Sequence, residues 1–83
     1  MTGSLQVRYF ASLADRVGCR EETVPYEDGC DVRQLWQSLV QRHPKLEALG
    51  FEPLVACDQE YANWDRELAG VEEIAFLPPF SGG

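Results

Sequence analysis

The run "EEIAFLPPFSGG" closes the sequence, and its last six residues are those whose types and order could do chemistry. Pro78 and Pro79 fix φ, carry no backbone N–H and hold the chain extended. Ser81, Gly82 and Gly83 then have almost no side chain, so a tip of this make fits a channel too narrow for larger residues. A stiff base with a slim end would deliver a terminal carboxylate into another protein. The opposing reading is an ordinary frayed end. A strand followed directly by Pro-Pro and Gly-Gly weighs against it.

Other catalytic arrangements do not form. The glycines at 3, 18, 29, 50 and 70 are scattered turn formers rather than a phosphate loop. Cys19, Cys30 and Cys57 include no C-x-x-C pair, and an odd number argues against a disulfide framework. They are read as small buried or half-buried side chains. Zinc would need clustered Cys or His, so no metal site is expected. The only histidine, His43, is read as a cap at a helix end and makes a poor base for a serine or cysteine nucleophile. Glu21-Glu22 and Glu72-Glu73 each point to opposite faces and read as solvated charge. The sequence does not read as a free-standing enzyme, and no permanently bound cofactor is expected.

Fourteen acidic residues against seven basic ones give a net charge of -7. Nucleic acid and anionic lipid are disfavoured, because both are bound by neutralising phosphates with Lys and Arg. The balance points to a protein partner with a basic face, although an acidic surface also serves solubility. There is a single lysine, Lys45. No apolar run has the length of a membrane span, and "MTGSLQVRYF" lacks the pattern of a signal peptide, so a cytoplasmic location is expected.

The elements that must position the tail follow from periodicity. In the 83 residues there is room for one small domain. "LQVRYF" alternates, with Leu5, Val7 and Tyr9 on one face and Gln6, Arg8 and Phe10 on the other. "SLADRVG" predicts one or two helical turns with Ser12 as N-cap and Gly18 as the stop. "EETVPY" is a second strand that Pro25 confines to an edge. In "DVRQLWQSLVQRHP", Val32, Leu35, Trp36, Leu39 and Val40 form one apolar helical stripe. Asp31 is its N-cap, Gln34 stands at the capping-box position, and Pro44 ends it. A loop over 45–53 leads to the strand "LVAC", a tight hairpin in "DQEYANW", and a final strand in which Ile74 and Phe76 face one way, Ala75 and Leu77 the other. One amphipathic helix across a mixed sheet gives an α+β class.

These segments resemble the small subunits of molybdopterin synthases, a family of ubiquitin-like sulfur carriers. "EEIAFLPPFSGG" carries the most specific likeness. "VRYFASLADRVG", "VRQLWQSLVQRHP" and "LVACDQEYANWDREL" extend it over nearly the whole chain. The resemblance implies a β-grasp fold over 1–77 with an extended tail over 78–83, and first and last strands parallel at the sheet centre. It implies that an ATP-using, ubiquitin-activating-like enzyme adenylates the carboxylate of Gly83 and that a sulfur donor converts it to a thiocarboxylate. The carrier would then insert its tail into the synthase large subunit, in a heterotetramer, and give sulfur to a pyranopterin precursor.

By position, Gly83 would bear the sulfur and Gly82 would permit close passage, while Pro78, Pro79, Phe80 and Ser81 would line the inserted tail. Phe10, Tyr61 and Leu77 match positions that meet the large subunit. Phe10 and Leu77 also fall opposite the expected core. For Tyr61 a docking role and a dented edge of the core both stay open. "FLPP" stands where two aromatics often precede the prolines, and Asp58 replaces a common Asn, with the same local backbone bonds expected. Two other readings remain: a carrier for thiamine, cysteine or another thio-product, and a modifier or interaction module that never carries sulfur.

Overall fold

The structure is a computed structural model and describes residues 2–79. Its longest helix, α2 (Val32–Arg42), starts as the sequence predicts. Asp31 Oδ1 accepts from the Gln34 N–H at 2.9 Å, and Gln34 Oε1 accepts from the Asp31 N–H at 3.0 Å. This reciprocal box satisfies two donors that a helix start would leave unpaired. Val32, Leu35 and Leu39 are buried along the predicted stripe, with Trp36 and Val40 half-buried beside them.

Among the described residues five strands form one sheet in the order β2-β1-β5-β3-β4: β1 (Thr2–Tyr9), β2 (Glu21–Glu27), β3 (Leu54–Cys57), β4 (Glu60–Tyr61) and β5 (Glu73–Leu77). β1 pairs parallel with β5, whereas β1 with β2, β3 with β5 and β3 with β4 are antiparallel. The first and last strands thus meet at the centre, and α2 packs across one face. That is the expected β-grasp arrangement. Pro25 sits in β2, at an edge of the sheet, where no ladder bond is lost to its missing N–H.

Between helix and sheet lies the core. Leu5, Val7 and Tyr9 of β1 and Ile74 and Phe76 of β5 turn toward α2. Phe76 is fully buried at its centre, 4.8 Å from the Trp36 ring and 6.2 Å from that of Trp64. Trp36 is therefore a packing residue.

Local starts and connections differ from expectation in three places. Ser12 is the first residue of the short helix α1 (Ser12–Val17) and not its cap. Ala11 holds the cap position with φ 53 and no side-chain cap bond. The reason lies in the sheet. The Phe10 N–H bonds Phe76 O at 3.2 Å, so pairing runs through Phe10, and the Leu13 N–H already bonds Phe10 O at 3.1 Å. One residue is left to reverse the chain, in a region costly for alanine. Gly18 ends α1 as expected, with φ 93 and its N–H on Ala14 O.

The 45–53 connection contains a 3-10 helix over Pro44–Ala48 rather than a plain loop, and Leu46 and Leu49 turn into the core. Asp58 and Gln59 make the β3–β4 hairpin with φ 50 and 71, both positive as a two-residue type I′ connection requires. Asp58 does more than local bonding. Its Oδ1 accepts from the N–H groups of Glu72 and Glu73 at 3.1 and 3.0 Å, tying the hairpin to the start of β5.

Candidate docking face and tail

Among the described residues no helix covers the second face of the sheet, and the register decides what that face shows. Arg8 is opposite Ala75, Ala75 opposite Ala56, and Ala56 opposite Tyr61. Directly paired residues share a face, so these four form one row on the outward side. Leu54 and Leu77 pair in the next outward row. Phe10 follows Arg8 by two residues and lies against it, the guanidinium carbon 5.4 Å from the ring centroid. The alanines make a flat, low floor with larger apolar groups around it.

Exposure marks the same surface. Among the described residues the large exposed hydrophobics are Phe10, Leu54 and Tyr61, at 38, 41 and 75%. All three are on this face, with half-buried Leu77 between them and the tail. At 75% exposure Tyr61 is not an edge of the core. Leu54 was not singled out from the sequence. The signal was there: in "LVAC", Val55 and Cys57 turn inward, which sends Leu54 and Ala56 outward. Its pairing with Leu77, however, depends on the sheet register.

Of the other residues read as functional, Pro78 is half-buried and Pro79 exposed, just past the end of β5. Phe80, Ser81, Gly82 and Gly83 lie outside the described residues.

A polar cluster stands behind the Phe10 turn, and it corrects two expectations. Glu22 is not a solvated charge, since its side chain is only 17% exposed. Its Oε2 accepts from the Tyr9 hydroxyl at 2.6 Å and from His43 Nε2 at 2.7 Å, and Arg42 Nη2 lies 3.4 Å from Oε1. Glu21, its neighbour, does face the other side, beside Arg8. His43 likewise does more than cap α2, because its ring crosses to β2 and stands edge-on to Tyr9. Burial alone would raise the Glu22 carboxyl. The bonds from Tyr9 and His43 and the charges of His43 and Arg42 outweigh it and hold the group below the usual carboxylate value. The Tyr9 hydroxyl is pushed well up, first by burial and then by its bond to Glu22.

Two of the thiols are disfavoured as nucleophiles. Cys57 is buried and Cys30 half-buried, and burial raises both above the ordinary thiol value. Cys19 is half-buried as well. Among the described residues no three His, Cys, Asp or Glu gather as metal ligands, and no helix is long and apolar enough to cross a membrane. What the arrangement can do is dock, through an apolar face at the base of a Pro-Pro exit.

Residues 7–83 match the sequence profile of the ThiS family. The chain belongs to the ThiS family. Two relatives are alike over almost their full length. The molybdopterin synthase sulfur carrier subunit of Caenorhabditis briggsae is 40% identical over 82 residues, covering 96% of this chain and 98% of that protein. Its counterpart from Homo sapiens is 35% identical over 82 residues, covering 95 and 93%. Among solved structures, SAMP1 from Haloferax volcanii, a small archaeal modifier protein, has a TM-score of 0.84 at 31% identity, covering 98% of this chain and all of that one. The ThiS-family match extends through the Pro-Pro and Gly-Gly segment.

Proposed function

We propose that this chain is the sulfur-carrier subunit of a molybdopterin synthase, working in the cytoplasm with a large subunit as its docking partner. The observation that carries the reading is the gathering of Phe10, Leu54, Tyr61 and Leu77 on the open sheet face, beside the strand end from which Pro78 and Pro79 depart. The full-length likeness to molybdopterin synthase sulfur carrier subunits supports the assignment. The globular part ends at Leu77, and 78–83 act as the inserted tail.

The chemistry belongs to Gly83. Its carboxylate attacks the α-phosphorus of ATP on an adenylating enzyme, and pyrophosphate leaves. A carboxylate is a poor electrophile until one oxygen becomes part of such a leaving group. Sulfide-level sulfur from a donor then attacks the acyl carbon, AMP leaves, and a thiocarboxylate remains. That sulfur is anionic near neutral pH and polarizable, hence nucleophilic. In the large subunit it displaces an oxygen substituent of the pyranopterin precursor, the partner supplying positive charge there, and water then cleaves the Gly83 acyl–sulfur bond, so that sulfur stays on the product and the carboxylate is restored. Catalytic side chains come from the partners; this chain brings the reactive atom and the docking face. Two carriers and two large subunits form the working heterotetramer.

The test uses the chain with a free C-terminus, its host's adenylating enzyme, ATP and a sulfur donor. Trypsin cleavage after Arg66 releases 67–83, which contains neither Met nor Cys. A gain of mass by exchange of oxygen for sulfur, together with uptake of an alkylating agent, is the expected result. Conversion of the precursor with the large subunit then fixes the product. An unmodified peptide, from an enzyme preparation active on another carrier, refutes the reading. It would favour the modifier role suggested by the likeness to SAMP1, in which Gly83 is joined to an amine.

A further inference from the structure

Arg8 is a cation set into the outward face of an acidic chain, and the proposed sulfur chemistry gives it nothing to do. Its strand neighbours are Glu21 on β2 and Ala75 on β5. Nη1 donates to Glu73 Oε1 at 3.2 Å, and Nε lies 3.9 Å from Glu21 Oε2. The guanidinium is thus tethered on two sides. From that position it covers the Phe10 ring at 5.4 Å, within the range of a cation–π contact.

Phe10 has little freedom apart from its side chain. Its N–H is bonded to Phe76 O at 3.2 Å and its carbonyl accepts from the Leu13 N–H at 3.1 Å. Ala11 follows at φ 53, so the backbone cannot slide to re-aim the ring without breaking those bonds. The side-chain torsions remain, on a ring that is 38% exposed and needs a fixed pose to present an anchor. An ordered aromatic loses less entropy on docking than a rotating one. A planar guanidinium held by two carboxylates suits the task better than an ammonium, which has no flat face to lay on a ring. The same two carboxylates leave the locality net negative, so Arg8 does not repel a basic partner.

We propose that Arg8 is a positioning residue of the docking face: clamped by Glu73 and Glu21, it holds the Phe10 ring in the pose that meets the partner. This inference rests on reading the outward face as the docking surface. It differs from a role in which Arg8 touches the partner itself, and from one in which it only ties strands together.

Two measurements test it. In the free chain, three-bond couplings report the Phe10 χ1 population, and the Arg8 δ-protons report the ring current above them. The wild type should show one dominant rotamer and upfield δ-protons, and Arg8→Ala and Glu73→Gln should both average the rotamer, with Arg8→Lys intermediate. Titration of the large subunit should then show Arg8→Ala weakening Kd by about three- to tenfold. In a Phe10→Ala background the same change should have no effect. Phe10 couplings unaltered in Arg8→Ala would overturn the proposal whatever the affinity. An undiminished loss in the Phe10→Ala background would overturn it too, since Arg8 would then act on its own. If the wild type forms no complex, the docking reading itself fails and takes this role with it, and the wild-type titration separates that case from the other two.

Discussion

Replacing Tyr61 by alanine should separate docking from folding more cleanly than any other single change. An aromatic side chain offers about 200 Å² for burial. With 75% of Tyr61 uncovered, full coverage by a partner would remove at most ~150 Å² from water, or ~4 kcal/mol at about 25 cal/mol per Å². Alanine keeps part of that area and a rim position is only partly covered, so roughly half is expected, ~2 kcal/mol. That corresponds to a Kd about 30-fold weaker. Stability should change little, because the ring packs on solvent. Loss of strand propensity at an edge costs at most about 1 kcal/mol. Titration calorimetry against the large subunit, with a urea melt of the free chain, reads both. Tyr61→Phe, which keeps the ring, should bind within about twofold of wild type. Unchanged affinity in a normally folded Tyr61→Ala would remove the outward face from the docking model. A melt weakened by more than about 3 kcal/mol would instead make Tyr61 a packing residue.

The remaining predictions concern neighbouring groups. Leu54→Glu puts a charge into the outward row beside Leu77 and should cost at least about tenfold in affinity for the large subunit with the fold retained; a wild-type Kd would show that docking stops short of β3. Glu22→Gln should lower stability at about pH 7 by ~1.5–3 kcal/mol, since Tyr9 and His43 lose a charged acceptor. Because the folded Glu22 carboxyl titrates below its ordinary value of 4.5, its contribution is present above that value and fades as pH falls through the folded one. The gap between wild type and variant in urea melts should therefore narrow on acidification, and a gap that widened would contradict the assignment. Gln59→Gly relieves a positive φ and should stabilise by up to about 1 kcal/mol, whereas Asp58→Ala strips an acceptor from two β5 N–H groups and should cost about 1–2 kcal/mol. Thermal melts of the two would show opposite shifts.

Much of this molecule could be read from local order. Alternation in "LQVRYF" identified β1 and its inward face, and the stripe from Val32 to Val40 identified α2, because each pattern is the direct image of one element's geometry. Asp31 and Gln34 marked the helix start for the same reason: all of a capping box lies within four residues. The 3-10 turn at Pro44–Ala48 was missed because so short an element has no period to reveal it. Ser12 reads as a cap because the capping rule is local, while the true start is set by a bond from Phe10 to Phe76 on another strand.

The same division holds at the functional surface. The chemical character of the tail was legible because Pro-Pro and Gly-Gly act through backbone constraint alone, whatever surrounds them. That Leu54 joins Leu77, that Arg8 reaches Glu73 and Phe10 together, and that Glu22 is shared by Tyr9 and His43 were decided by the sheet register and by the packing of the end of α2 against β2. Glu22 and Glu21 look alike in sequence, and one became a half-buried, shared acceptor while the other stayed at the surface. Burial and pairing are properties of what the rest of the chain brings alongside a residue, and no window of sequence around that residue contains them.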